Sequence, residues 1–184
     1  EEDIPEDKSE AEAEEEDEDE DDYEDDDFLE ASLPEDASLR GSMPEEIGNI
    51  EEDIIEEFSF FDDWMDKYTH LISLGKELEQ MIPENKTSEN QIKGCQSQVW
   101  LNAKLTENGI LFEADSDAII TRGMIALLLR VVQGQKPEKI ASYEFNFLEK
   151  IGLTTHLSPS RANGLVSMVK QIRLYGVAFQ GKKK

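Results

Sequence analysis

Cys95 is the only cysteine in the 184-residue chain, and it stands in Ile92-Lys93-Gly94-Cys95-Gln96-Ser97-Gln98-Val99-Trp100, among amides and a hydroxyl. A lone cysteine is commonly a small buried hydrophobe. Two neighbours keep a reactive thiol in view: Gly94 permits an unusual φ or a close backbone approach, and Lys93 would favour the thiolate. A thiol hydrolase needs a base beside the sulfur, and the chain offers only His70 and His156, with Asp117 as an orienter. Nothing in their spacing links them, and a thiol protease places its cysteine at a helix N-terminus rather than before a strand. A zinc or iron site needs several ligands close together, which one cysteine and two scattered histidines do not supply. Gly94, Gly109 and Gly123 are isolated and no Gly-Lys-Ser/Thr follows them, so there is no phosphate loop. What remains is chemistry that one thiol does alone, of which carrying a group as a covalent adduct is the simplest.

The elements that would hold this cysteine follow from periodicity. Residues 50–58 read as a helix. A second runs over 62–81, with Met65, Tyr68, Leu71, Ile72, Gly75 and Leu78 at spacings of three and four, and Pro83 stops it. Gln98–Thr106 alternates apolar and polar residues, Asn108 and Gly109 supply a turn, and Ile110–Ala114 returns as a second strand. Two short strands need a cover. Residues 117–133 are apolar on nearly every side and predict a buried central helix, capped by Asp115 or Ser116 and ended at Gly134. Short helices are expected over 138–142 and 147–152. Ser158-Pro159 then opens a last helix in which Leu165, Met168, Val169, Ile172 and Gly176 share a face. This is an α+β layering, a small antiparallel sheet packed against several helices. Trp100, alternating with polar residues, is expected in the core, and Gln96 and Ser97 are expected to shape the loop by bonding to backbone.

The charge is unevenly spread. The chain has 18 Lys and Arg against 44 Asp and Glu, a formal net charge of −26. Residues 1–44 hold 23 of the acids against Lys8 and Arg40, whereas residues 45–184 hold 21 acids and 16 bases. Residues 1–44 therefore read as a disordered acidic extension, 45–180 as the folded domain and 181–184 as a basic tail. Acidity of this degree argues against nucleic-acid binding, where bases must neutralise phosphate. A single cysteine excludes an internal disulfide framework and fits a reducing compartment. No apolar run approaches the roughly 18 residues of a membrane span, and the acidic N-terminus is unlike a secretory signal.

Three blocks, IKGCQSQVWL, DSDAIITRGMIALLL and LTTHLSPSRANGL, resemble in order and separation the SufE family of cysteine desulfuration proteins, sulfur acceptors of iron-sulfur cluster assembly. The resemblance runs from about Ile50 to Phe179 and omits the acidic extension. It implies that Cys95 forms a persulfide by attacking the terminal sulfur of a persulfide on a SufS-like cysteine desulfurase, and that the sulfur passes to a Suf scaffold, a SufB-containing complex. It also implies that the thiol is tucked against an apolar pocket until the partner docks. The pyridoxal phosphate (PLP) sits on the desulfurase, so this chain is expected to bind no cofactor and no metal. Gly94, Gln96 and Ser97 would shape the loop, and Lys93, Asp117 and Arg161 would meet the partner. Asp117 also reads as a carboxylate facing a helix dipole, and Arg161 as an exposed first-turn residue. The expectation is a cytoplasmic carrier and activator, monomeric or weakly dimeric, rather than a stand-alone enzyme. The alternatives are a SufE-like activator of a different desulfurase serving another acceptor, a scaffold on the related IscU-like fold, which needs several cysteines, and a thiol hydrolase.

Overall fold

The computed structural model describes residues 46–182; the acidic extension and the last two lysines of the basic tail lie outside them. Helices α1 (Ile47–Ser59) and α2 (Trp64–Glu77) lead into a 3-10 turn at Pro83–Asn85 and a hairpin of β1 (Val99–Thr106) and β2 (Gly109–Ser116). Helices α3 (Ile119–Val132), α4 (Pro137–Ser142), α5 (Phe147–Lys150), α6 (Leu153–His156) and α7 (Pro159–Gln180) follow. The α+β layering is as the sequence predicts. The hairpin register runs from Val99 opposite Ser116 to Thr106 opposite Gly109, so Glu107 and Asn108 form the turn and Gly109 already belongs to β2. No helix among the described residues is long and apolar enough to cross a membrane.

Val99, Leu101 and Ala103 of β1 and Ile110, Phe112 and Ala114 of β2 are buried on one face, the period-2 alternation of a sheet with one side in the core. Helix α3 packs on this face with ten of its fourteen residues buried. Helix α7 joins it through Tyr175, whose hydroxyl donates to the Leu101 carbonyl at 3.0 Å and whose ring meets Phe112 edge-on. The outer face carries residues 82–86, held where Glu113 accepts from Ile82 N at 2.9 Å and from Asn85 Nδ2 at 2.8 Å. Trp100 points to this face, half-buried beneath the Lys86 ammonium at 5.6 Å. It is therefore outside the core, because the pleat puts it opposite Val99 and Leu101.

Helices α2 and α3 cross through two glycines. A Cβ at Gly123 would lie 2.2 Å from the Leu71 carbonyl oxygen, and one at Gly75 would lie 2.7 Å from Gly123 N. The backbones touch because neither position has a side chain, which lets Leu71 and Leu74 bury against α3. Met65, counted in the apolar stripe of α2, is instead 72% exposed, and the helix ends at Glu77, well before Pro83, which opens the 3-10 turn.

The start of α3 also differs from expectation. Its N-cap is Ala118 with no side-chain bond, and Ser116 Oγ accepts from Ala118 N at 3.3 Å. Asp115 is 3% exposed and serves two cations, Arg122 and, at 2.7 Å, Lys86. Arg122 uses its remaining donors on the carbonyls of Gly75 and Leu78, each at 2.6 Å. One guanidinium thus satisfies the open carbonyl end of α2 and the buried carboxylate of β2, which a capping role for Asp115 would have left unpaired. Helix α6, one turn that the sequence pattern does not announce, brings His156 back over α2.

Candidate functional site

Cys95 lies on a loop closed at its base by backbone bonds. Ile92 N donates to Val99 O and Leu101 N to Asn90 O, both at 2.8 Å, flanking a bridge between Gln91 and Trp100. The far end is fixed at Gln98, whose carbonyl accepts from Ser116 Oγ at 2.8 Å and Asp117 N at 3.2 Å. Its N–H donates to Asp117 Oδ1 at 2.9 Å. Gly94 turns the loop with φ 85°, a left-handed conformation that side chains resist, and a Cβ there would lie 2.7 Å from Ser167 Oγ. Ser97 Oγ meets Thr121 Oγ1 of α3 at 3.3 Å. The consequence is a small loop fixed at both ends, with Gly94 and Ser97 between them set against α7 and α3.

At its tip the Cys95 thiol donates to the Gly164 carbonyl of α7 at 3.6 Å. Gly164 has no side chain, and a Cβ there would reach 3.5 Å from the sulfur, so the helix backbone itself is the thiol's neighbour. The sulfur faces a cavity of about 260 Å³ walled by Gln96, Ser97, Thr121, Met124, Ser158, Ser160, Arg161, Gly164 and Met168. Its apolar part is Met124, Gly164 and Met168; four hydroxyls, an amide and a guanidinium make the rest. The expected apolar pocket is therefore apolar on one side only. The three sequence blocks converge here, for Gln96 and Ser97 come from the first, Thr121 and Met124 from the second, and Ser158, Ser160, Arg161 and Gly164 from the third.

Of the predicted site residues, Cys95, Gln96, Ser97 and Arg161 meet at the cavity and Gly94 shapes the loop. Lys93 is exposed and does not line the cavity. Asp117 does not line it either; it neither caps α3 nor reaches the thiol, but holds the loop base through Gln98. Ser97 bonds a side chain rather than backbone, and Gln96 lines the cavity without a hydrogen bond among the described residues. His156 stacks on Trp64 with ring centroids 3.9 Å apart, and His70 sits against Phe58, Phe61 and Glu57. Neither is a wall of the cavity, so the base a thiol hydrolase requires is not beside the sulfur. Thr121, Met124, Ser158, Ser160 and Met168 escaped selection as site residues because each reads as an ordinary helix or cap residue.

Burial pushes the Cys95 thiol above its ordinary value, the opposite of what Lys93 was expected to do, because desolvation disfavours the thiolate. At neutral pH the group is a protected thiol. Its alkylation by iodoacetamide is expected to rise with pH through a midpoint above the ~8.5 of a free cysteine, and to return to that value in urea. A midpoint at or below the ordinary value in the folded chain would contradict the burial.

With this geometry in hand, comparison with known proteins is informative. Residues 52–175 match the model of the family described as "SufE: Fe-S metabolism associated domain". An uncharacterized SufE-like protein of Rhizobium etli is 47% identical over 125 residues, covering 65% of this chain and 84% of its own. A counterpart in Rhizobium meliloti is 42% identical over 125 residues, covering 65% and 89%, and one in Synechocystis is 37% identical over 127 residues, covering 69% and 80%. The solution structure of a hypothetical protein from Thermus thermophilus superposes with a TM-score of 0.61 over 72% of this chain and 97% of that one, at 15% identity, a likeness of fold. A family model matching most of the folded domain and relatives above a third identical place the chain in one family: it belongs to the SufE family and is a SufE-like protein of iron-sulfur metabolism.

Proposed function

We propose that the chain accepts sulfane sulfur on Cys95 from a PLP-dependent cysteine desulfurase, stimulates that enzyme by doing so, and relays the sulfur to a Suf scaffold that assembles iron-sulfur clusters. The observation that carries this reading is the setting of the chain's one thiol, which faces a cavity with room for a further sulfur atom and has no histidine beside it. Exchange on sulfur needs a thiolate on each side and no general base. The Cys95 thiolate attacks the terminal sulfur of the desulfurase persulfide; the partner's S–S bond breaks as the new one forms, and the partner leaves as a thiolate that takes up a proton. Cys95 becomes a persulfide with no net oxidation or reduction. PLP supplies its chemistry on the partner, and this chain contributes no cofactor. To enter a partner's site the loop would turn outward about its two fixed ends, giving up the Cys95–Gly164 and Ser97–Thr121 contacts, and the thiol would ionise more readily on leaving its buried position. Lys93, beside it and exposed, and Arg161, at the cavity edge, are the cations in place to meet an acceptor surface, and Asp117 keeps the hinge.

The test is intact-mass measurement. Incubated with a cysteine desulfurase, PLP and cysteine, the chain is expected to gain roughly 32 Da per sulfur added, removed again by a reducing thiol. An unchanged mass under conditions in which the desulfurase releases alanine would overturn the reading.

A further inference from the structure

The charge of the described domain is itself divided. The last acid of the chain is Glu149, and residues 150–184 contain seven Lys and Arg and no Asp or Glu, whereas residues 45–149 hold 21 acids against nine bases. Helix α7 lies wholly in the basic part. One of its faces is buried through Leu165, Met168, Ile172 and Tyr175. At 100° per residue, Val166, Lys170, Arg173, Leu174 and Val177 fall on the opposite face, within a stripe about 100° wide. Val166 is 67% exposed, Leu174 42% and Val177 55%, and Lys170 and Arg173 are exposed with no carboxylate partner among the described residues. A helix face of three exposed aliphatic residues and two unpaired cations in an otherwise acidic domain is an unpartnered surface for an acidic segment with some apolar content.

We propose that this surface is occupied by the chain's own N-terminal segment, residues 1–44. That segment carries 23 acids against two bases, with Tyr23, Phe28, Leu29 and Leu33 among them. The route is short. The described chain starts at Glu46, whose carboxylate already pairs with Lys139 of α4 at 3.2 Å. Helix α4 packs directly on α7, where a Cβ on Gly176 would lie 2.7 Å from Ala141 N, and Arg173 Nε donates to Ala141 O at 3.3 Å. The segment therefore enters beside the C-terminal half of the stripe. Forty-four residues can span up to ~145 Å, against ~33 Å for the whole of α7, so length imposes no obstacle. Like-charge repulsion within the segment favours contact with cations, and Lys170 and Arg173 have no carboxylate partner of their own among the described residues. The opposite side of the same helix, at Gly164 and Met168, walls the Cys95 cavity, so the segment lies against the outside of the helix that holds the thiol.

The full chain tests this with a nitroxide label on Glu14→Cys in a Cys95→Ser background, read by broadening of backbone amide signals. At ~50 mM salt the broadening is expected to concentrate on residues 166–177 and on α4. It should vanish at ~0.5 M salt, where charge screening is nearly complete, and in Lys170→Glu/Arg173→Glu, whose reversed charges sit on exposed positions. Absent or evenly spread broadening would overturn the proposal and leave the segment for an outside partner. Broadening that survives charge reversal would overturn the choice of surface. Labelled chain mixed with isotope-enriched, unlabelled chain separates the remaining case: signals broadened between molecules would mean docking on a second copy, which also overturns the intramolecular assignment.

Discussion

Cys95→Ser is expected to lose sulfur loading and desulfurase stimulation together, down to the rate of the desulfurase alone, while melting at the wild-type temperature. The loss is complete rather than partial because the chain has no second thiol to take over, and a serine hydroxyl does not displace a thiolate from a persulfide under these conditions. The fold is spared because serine is close to cysteine in size and can still donate to Gly164 O, while the loop keeps its other fixings at Ile92, Gln98, Asp117 and Thr121. Cysteine-dependent sulfide release measured beside a thermal melt separates the two effects. Stimulation retained by the serine variant would mean that docking alone activates the partner, and the transfer step would then have to be abandoned.

The same geometry explains why a carrier would keep its thiol half-buried. An exposed persulfide is open to any reductant, whereas one enclosed near Gly164, Met124 and Met168 meets few. Burial also raises the thiol above its ordinary value, so the free protein is a poor nucleophile toward stray electrophiles. On the proposed function, reactivity would be gained where the loop leaves the cavity, which would make it conditional on docking.

The parts of this arrangement legible in the sequence were those governed by period and by turn chemistry. The central helix, the hairpin and the buried face of α7 follow from spacing, because burial of a regular element leaves a regular imprint. The cysteine block was legible because its residue types are unusual together. What stayed hidden was set by contacts between distant segments. Trp100 has the alternation of a core residue, and only the packing of α3 and α7 on one side of the hairpin decides which face is the core. Asp115 sits where a cap is expected, yet a cation seven residues on competes for it and wins, because a buried carboxylate gains more from a guanidinium than from one N–H. The cavity walls of Thr121, Ser158 and Ser160 carry no local signal; they become a site only when separate helices and a loop meet. Lys93 shows the reverse, a neighbour in sequence that does not line the cavity the sulfur faces.

Arg122 carries the second large expected effect, and it is on stability. Arg122→Met should lower the unfolding free energy by about 3–5 kcal/mol, the usual cost of breaking a buried ion pair from one side, which for a domain of this size is a fall of roughly 10–15 °C in the melting temperature. The guanidinium meets the Asp115 carboxylate, whose side chain is only 4% exposed, and donates to Gly75 O and Leu78 O as well. Methionine fills the volume and supplies none of these donors, so two carbonyls at the end of α2 lose this donor and Asp115 Oδ1 is left with the Ser116 N–H alone, at 2.8 Å. Lys86 remains at 2.7 Å from Asp115 and keeps the loss from being larger. Arg122→Lys should fall between, because an ammonium can answer the carboxylate but cannot span it and both carbonyls in one plane. Adding Asp115→Asn to Arg122→Met should cost less than the two single losses together, by ~0.5–3 kcal/mol, since the charge left unpaired in one is gone in the other. Strictly additive losses, or an unchanged denaturation midpoint for Arg122→Met, would show that water satisfies these groups and that α2 is held by its Gly75–Gly123 crossing with α3 alone. The site feels this junction because Asp115 is two residues from Asp117, the carboxylate that fixes Gln98. Stimulation by Arg122→Met should therefore track the folded fraction at each temperature, and a loss of stimulation well below the melting transition would instead place Arg122 among the groups that set the cysteine loop.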